Sequence, residues 1–131
     1  MKKDIQIPEV TDVFMAIVKE YNTDFRCDDW NVYLINNKNI DLEMVLIVSH
    51  GYDKRNKTST MRKKVDVLPA NSYAKVELIQ PELFKLNNTF KVTFFTDNKL
   101  FEKTFVFAKN TIKDSALRMI KELDKKGILS K

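Results

Sequence analysis

The sequence predicts a mainly β protein: an antiparallel, immunoglobulin-like β-sandwich of about seven strands with a short C-terminal helix. Seven short segments alternate apolar and polar residues, and turn-forming residues separate them every 8–12 residues or so. Hydrophobic residues make up 44% of the 131-residue chain, which is enough for a core and argues against disorder. We expect one β-sandwich domain over residues 1–131, with its core at about 13–108 and a helical tail at about 114–131.

The predicted strands are 13–21, 30–36, 42–49, 61–68, 73–79, 89–96 and 100–108. The first would also suit a helix, because it contains Ala16 and the pair Lys19-Glu20. The third is apolar on both faces, as expected of a central strand. The fourth is more polar and suits an edge strand protected by lysines.

Strict alternation assigns each side chain of a strand to one of two faces. The side chains expected on one face of their strand are Trp30, Val32 and Leu34; Leu42, Met44, Leu46 and Val48; Ala74, Val76 and Leu78; Phe90, Val92 and Phe94; and Phe101, Phe105 and Phe107. A second apolar face remains, formed by Tyr33, Ile35, Val45, Ile47 and Phe95. Either the C-terminal helix or a second copy of the chain would have to cover it, since an open apolar patch usually marks an interaction site.

Three predicted turns, at 36–39, 69–72 and 96–99, use asparagine in a chain that has only 2 glycines. The first and third are expected to close hairpins. The C-terminal helix is predicted at about Ser115–Lys126, with Asp114 or Ser115 as its cap and Gly127 as its stop. Its apolar stripe would consist of Ala116, Leu117, Ile120 and Leu123.

Composition excludes several kinds of chemistry. Two glycines cannot build a Walker loop, a dinucleotide-binding turn or the glycine-rich signature of a synthetase active site. One cysteine and one histidine cannot form a Cys/His zinc site within the chain. Asp24, Asp28 and Asp29 lack the spacing of a calcium loop, and Cys27 with His50 is an isolated thiol–base pair whose distance the sequence does not fix. We therefore predict no catalytic residues, no metal and no cofactor.

The sharpest local feature is a basic segment at 54–64, which carries six positive charges against a net charge of +5 for the whole chain. Its cationic residues are Lys54, Arg55, Lys57, Arg62, Lys63 and Lys64. Clustered lysine and arginine with hydroxyl neighbours can contact phosphate oxygens, so these residues form a candidate anion or nucleic-acid contact. The alternative is a solvated loop followed by a lysine-protected edge strand.

Several runs together resemble a small family of bacterial proteins of about this length: YLINN (33–37), MVLIVSHGYD (44–53), KTSTMRKK (57–64), SYAKVELI (72–79) and FKVTFFTDNKLFEKTFVF (90–107). The resemblance covers nearly the whole chain, and members sometimes carry the label phenylalanyl-tRNA synthetase alpha subunit. A class II synthetase catalytic domain needs roughly twice this length or more. The resemblance assigns no catalytic residue here, and the length argues against an intact aminoacyl-tRNA synthetase.

Three functions stay open from the residues. The leading one is a non-catalytic β-sandwich module that binds another protein or itself through the second apolar face. The second is an RNA- or DNA-contacting accessory protein that uses the basic segment. The third is a small-ligand carrier with an apolar pocket near the phenylalanine-rich strands at 89–108. No run of apolar residues is long enough for a signal peptide after Lys2 and Lys3 or for a membrane helix, so we expect a cytoplasmic protein without a membrane partner.

Overall fold

The computed structural model describes residues 9–130, and Lys2 and Lys3 therefore lie outside the described residues. The prediction of a mainly β protein is confirmed, since two antiparallel sheets account for most of this part of the chain. The strands are β1 (Val13–Asn22), β2 (Cys27–Asn36), β3 (Leu42–Tyr52), β4 (Met61–Leu68), β5 (Ser72–Leu78), β6 (Asn87–Thr96), β7 (Lys99–Phe107), β8 (Arg118–Ile120) and β9 (Lys125–Ser130). Short 3-10 turns span Pro81–Lys85 and Asp114–Ala116.

One sheet has five strands in the order β5-β2-β1-β9-β8, and the other has four in the order β4-β3-β6-β7. Apolar side chains from both sheets share one core, including Met15, Leu34, Ile47, Phe94 and Phe105. Each of these five is at most 1% exposed, so the two sheets pack face to face around a closed apolar layer. No helix in the described part of the chain has the length and apolar character that a membrane crossing requires.

The predicted C-terminal helix at about Ser115–Lys126 is wrong. Strands β8 and β9 form a hairpin there, and β9 pairs with β1, so that β1 becomes a central strand. Asp124 turns the chain with a φ of 54°, and Gly127 lies within the sheet rather than at a helix end. Pairing with an otherwise open strand and burial of the apolar residues outweigh the helical spacing, because helix propensity is only a weak preference.

The hairpin turn covers a second, smaller core on the other face of β1 and β2. Ile120 and Leu123 pack there against Ala16, Tyr33 and Ile35. Part of the predicted second apolar face, Tyr33 and Ile35, is thus covered within the chain. The cover is a β-hairpin, where the sequence indicated a helix or a second copy.

Of the two turns predicted to close hairpins, one does so and the other does not. The turn at 96–99 joins β6 to β7, with positive φ at Asp97 (53°) and Asn98 (59°), as a two-residue hairpin loop requires. The turn at 36–39 closes no hairpin, because β2 and β3 belong to different sheets. Asn36, which is fully buried, donates from Nδ2 to the carbonyl oxygens of Ile40, Leu68 and Pro69. These bonds link the β2–β3 connection to the β4–β5 connection, both of which cross from one sheet to the other.

Two irregularities break the alternation that the sequence predicts. In β3, Met44 has a φ of 50° and the pairing with β6 shifts between Glu43 and Leu46. Leu42, Val45 and Ile47 therefore enter the core together, while Met44 is 70% exposed. In β5, the pairing with β2 shifts after Lys75, so that Val76 and Ile79 are buried and Leu78 is 42% exposed. The predicted inward positions of Met44, Leu46, Val48 and Leu78 are wrong for this reason.

Candidate functional site

The first half of the basic segment forms the loop between β3 and β4. The carboxylate of Asp53 accepts hydrogen bonds from the backbone N–H groups of Arg55 and Asn56, at 2.8 and 2.7 Å. These bonds hold the pKa of Asp53 below its ordinary value. A backbone bridge between Tyr52 and Lys57 closes the loop. The loop backbone is therefore fixed by its own contacts, and the side chains of Lys54, Arg55 and Lys57 are exposed.

The second half lies on β4, at the edge of the four-stranded sheet. Arg62 pairs with Val48 and Lys64 pairs with Leu46, whereas Lys63 pairs with the core residue Ile47. Because directly paired residues share a face, Arg62 and Lys64 lie on the outer face and Lys63 lies on the other. Within residues 9–130, none of the six cations of the segment forms an ion pair. The structure thus brings Arg62 and Lys64 together and separates Lys63 from them.

The outer face of the four-stranded sheet also carries an apolar groove that the sequence did not indicate. Its lining includes Met44, Leu46, Lys64, Thr93 and Phe95, which enclose a cavity of about 410 Å³; we call this the outer groove. Leu100, which pairs with Phe95 and is 53% exposed, extends it toward β7. The outward position of Phe95 agrees with its predicted face, while Val45 and Ile47 belong to the core instead.

Charges of both signs surround the outer groove. Arg62 and Lys64 stand on the β4 side, and Glu102 stands on the β7 side, where it pairs with Lys91 at 3.6 Å. Asp66 also lines the groove, and Glu43 is exposed opposite Phe95. Acidic and basic groups thus both lie beside this exposed apolar surface, with Lys64 near its β4 side and Glu102 near its β7 side.

The other candidate residues are not assembled into a reactive centre. Cys27 Sγ lies 4.0 Å from Asp29 Oδ1, whereas His50 Nδ1 lies 3.4 Å from Thr89 Oγ1. Asp28 pairs with Lys19 at 3.9 Å. No group of three or more His, Cys, Asp or Glu between residues 9 and 130 is arranged to hold a metal ion.

The phenylalanines of β6 and β7 lie mainly in the core. Phe90, Phe94 and Phe105 are at most 2% exposed, and Phe101 stacks on Phe94 with ring centroids 5.4 Å apart. Sequence reasoning missed Met44 and Leu46, because the bulge at Met44 is what turns them to the outer face. It also missed Leu100, which lies beside Phe95 on the same face. Comparisons with protein-family models, with curated proteins and with solved structures found no match for this chain.

Proposed function

We propose that this protein is a non-catalytic, self-associating β module that pairs with a second copy of itself through the outer groove. The observation that carries the proposal is the exposed apolar surface around Met44, Phe95 and Leu100 on an otherwise regular sheet face. Protein interfaces are enriched in methionine and aromatic residues at their centres, and a flexible methionine fits many shapes. An open patch of this kind on a sheet face favours an interface.

The arrangement of charge favours a second copy as the occupant. In a face-to-face dimer, a two-fold axis parallel to the strands exchanges the β4 side of one copy with the β7 side of the other. Lys64 pairs across the sheet with Leu46, whose other neighbour Thr93 pairs with Glu102. The exchange therefore brings Lys64 of each copy toward Glu102 of the other, and Met44 toward Phe95. Such an isologous contact is self-complementary in both charge and apolar surface.

The size of the face sets the expected affinity. Four strands about 4.8 Å apart and about eight residues long offer about 500 Å² per copy. The pair would bury about 1,000 Å², which is near the lower limit for a specific interface. The dimer should therefore be weak and reversible, with a monomer–dimer equilibrium that depends on concentration.

Sedimentation velocity over a concentration series reaching about 1 mM tests the proposal. The wild-type chain should show a rising weight-average mass. The Met44→Glu variant should remain monomeric, because dimerisation would bury the charged glutamate in the contact. Met119→Glu is the matched control: Met119 is 60% exposed against 70% for Met44, but it lies on β8 of the five-stranded sheet.

A charge exchange sharpens the test. Lys64→Glu alone should weaken the dimer, and adding Glu102→Lys should restore it, because the pair is rebuilt with reversed signs. A wild-type chain that stays monomeric throughout the series overturns the proposal. Equal dimerisation of the two methionine variants would place the contact on another surface.

A second candidate function rests on the six cations of the basic segment, which have no ion-pair partners among the described residues. It is contact with RNA or DNA, through electrostatic attraction to the phosphates. Binding of a labelled single-stranded oligonucleotide should weaken steeply with salt, and Arg55→Glu with Arg62→Glu should abolish it. Lys85→Glu, on the 3-10 turn after β5, is the control. Absence of binding at low salt would remove this candidate.

The immunoglobulin-like topology is part of the proposal, and the strand order supports it. The first seven strands divide into β1, β2 and β5 in one sheet and β3, β4, β6 and β7 in the other. Strands A, B and E and strands C, C′, F and G divide in the same way in that fold. We also keep the cytoplasmic location and the resemblance to the small bacterial family, without aminoacylation activity, as predictions.

A further inference from the structure

A second cavity, of about 260 Å³, opens where β5 and the end of β3 approach each other. Its apolar wall includes Ile79, Leu83 and Phe90, and its polar lining includes Glu77 and Asn88. It lies between the two sheets, and the inference drawn from it does not depend on self-association through the outer groove.

The bulge in β5 is what turns Glu77 into this cavity. Simple alternation would bury Val76 and send Glu77 to the outer face. Because the pairing shifts, Glu77 instead pairs with the inward residue Val32, and its Oε1 accepts a 2.7 Å hydrogen bond from Ser49 Oγ of the opposite sheet. Ser49 is only 4% exposed. Bulges commonly re-aim a side chain next to a functional site.

Glu77 has no cationic partner in the described part of the chain. Burial raises the pKa of its carboxyl group, and the Ser49 hydrogen bond offsets this only in part. The cavity lining contains neither lysine nor arginine. The other carboxylate oxygen, Oε2, has no hydrogen-bond donor among residues 9–130, so an isolated acid stands beside an apolar wall.

Asn88 supplies a second free acceptor. This residue is 4% exposed, and its Nδ2 donates to the carbonyl oxygens of Leu83 and Leu86. Its Oδ1 accepts no hydrogen bond from the described residues. Gly51 keeps the adjacent wall open, since a Cβ there would lie 3.1 Å from Asn88 Oδ1 and 3.2 Å from Leu86 Cδ1.

We propose that this cavity binds a small primary ammonium compound with an apolar body. The ammonium group would donate to Glu77 Oε2 and Asn88 Oδ1, which are acceptors without donors of their own. The apolar body would lie against Ile79, Leu83 and Phe90. An ammonium ion has three donors and no acceptor, so it can donate to both of these acceptors at once. The apolar wall excludes water from the charge pair.

Amide chemical shifts recorded during titration with n-pentylammonium test this site. The titration is done at about pH 8, where the amine is protonated and the carboxyl ionised. Saturable shifts are expected for residues 49–51, 77–80 and 88. Glu77→Gln should weaken binding about tenfold or more, as expected for loss of a charge-assisted hydrogen bond. The variant should stay folded, because the amide oxygen still accepts the Ser49 hydrogen bond.

Glu102→Gln, an exposed carboxylate on β7, is the matched control and should bind like the wild type. Gly51→Ala should also weaken binding, because its methyl group narrows the cavity beside Asn88. The neutral analogue n-pentanol should bind at least tenfold more weakly than the ammonium. Absence of saturable shifts overturns the proposal, as does equal binding by Glu77→Gln or by n-pentanol.

Discussion

Two glutamates of the five-stranded sheet, Glu20 on β1 and Glu77 on β5, have pKa values shifted in opposite directions. Burial opposes ionisation of Glu20, but hydrogen bonds from Lys125, Tyr33 and Asn31 outweigh it and lower its pKa. Burial also opposes ionisation of Glu77, and because it accepts only one hydrogen bond, from Ser49, its pKa stays raised. The number of donors thus decides whether a half-buried carboxylate stabilises or destabilises the fold.

Glu77→Gln is expected to stabilise the protein at neutral pH. Because the folded-state pKa lies above the ordinary glutamate value of 4.5, the wild-type carboxyl binds its proton more tightly in the folded state. Wild-type stability therefore falls as pH rises from 4.5 through the folded-state pKa. Urea titrations at several pH values should give the variant a higher free energy of unfolding than the wild type at pH 7 and an equal one below about pH 4.5. A variant that is less stable at pH 7 would contradict this cause.

Glu20→Gln should show the opposite dependence. The lowered pKa of Glu20 adds stability that is fully present above 4.5 and lost as pH falls through the folded-state value. The amide retains an acceptor for Asn31 and Tyr33 but loses the 2.8 Å ion pair with Lys125. We expect a loss of about 0.5–1 kcal/mol at pH 7, since the pair is partly exposed. The same urea series checks it, and a loss that persists unchanged at pH 3 would point to packing instead.

At the scale of elements, the C-terminal hairpin depends on the close approach of β9 to β1. Gly127 pairs with Val18, and a Cβ at Gly127 would lie 2.8 Å from the carbonyl oxygen of Ile17 and 2.9 Å from Ile120 Cδ1. The carbonyl oxygen belongs to a central strand and cannot move aside as a flexible side chain can. The need for glycine here comes from space and not from a left-handed backbone, because no glycine in the described residues has a positive φ.

Gly127→Ala should therefore destabilise the protein by about 1–3 kcal/mol, the usual range for an overpacked site. Gly51→Ala is the matched control, since its nearest contacts are side-chain atoms at 3.1 and 3.2 Å, and it should cost less. Chemical denaturation of both variants gives the comparison. If Gly127→Ala proved as stable as the wild type, the register of β9 on β1 would have to differ.

The elements show which features the sequence could predict. Strand β4 has the predicted bounds, Met61–Leu68, and the turn at 96–99 forms the predicted hairpin, because both depend on local alternation and turn chemistry. The bulges at Met44 and after Lys75 depend on pairing with strands far along the chain, which no local pattern records. The outer groove and the inward position of Glu77 follow from those bulges. The six cations of the basic segment could therefore be identified from the sequence, but the apolar groove beside them could not.

At the scale of the whole molecule, two cores share the same pair of strands. Met15 and Ile17 of β1 face the core between the sheets, while Ala16 and Val18 face the smaller core under the C-terminal hairpin. Strand β2 divides its side chains in the same way, with Leu34 in one core and Tyr33 in the other. Neither core can lose its packing without disturbing strands on which the other depends.

We therefore expect the chain to unfold in one cooperative transition even when only the smaller core is weakened. Leu123→Ala removes a side chain that is 4% exposed and should cost about 2–5 kcal/mol, and Phe94→Ala in the larger core should cost about 3–5 kcal/mol. Both variants should lower the midpoint of a single transition that far-ultraviolet circular dichroism and tryptophan fluorescence report alike, because Trp30 lies on β2. A separate early transition in Leu123→Ala would contradict this coupling, since it would mean that the C-terminal hairpin unfolds while β1 and β2 remain packed in the larger core.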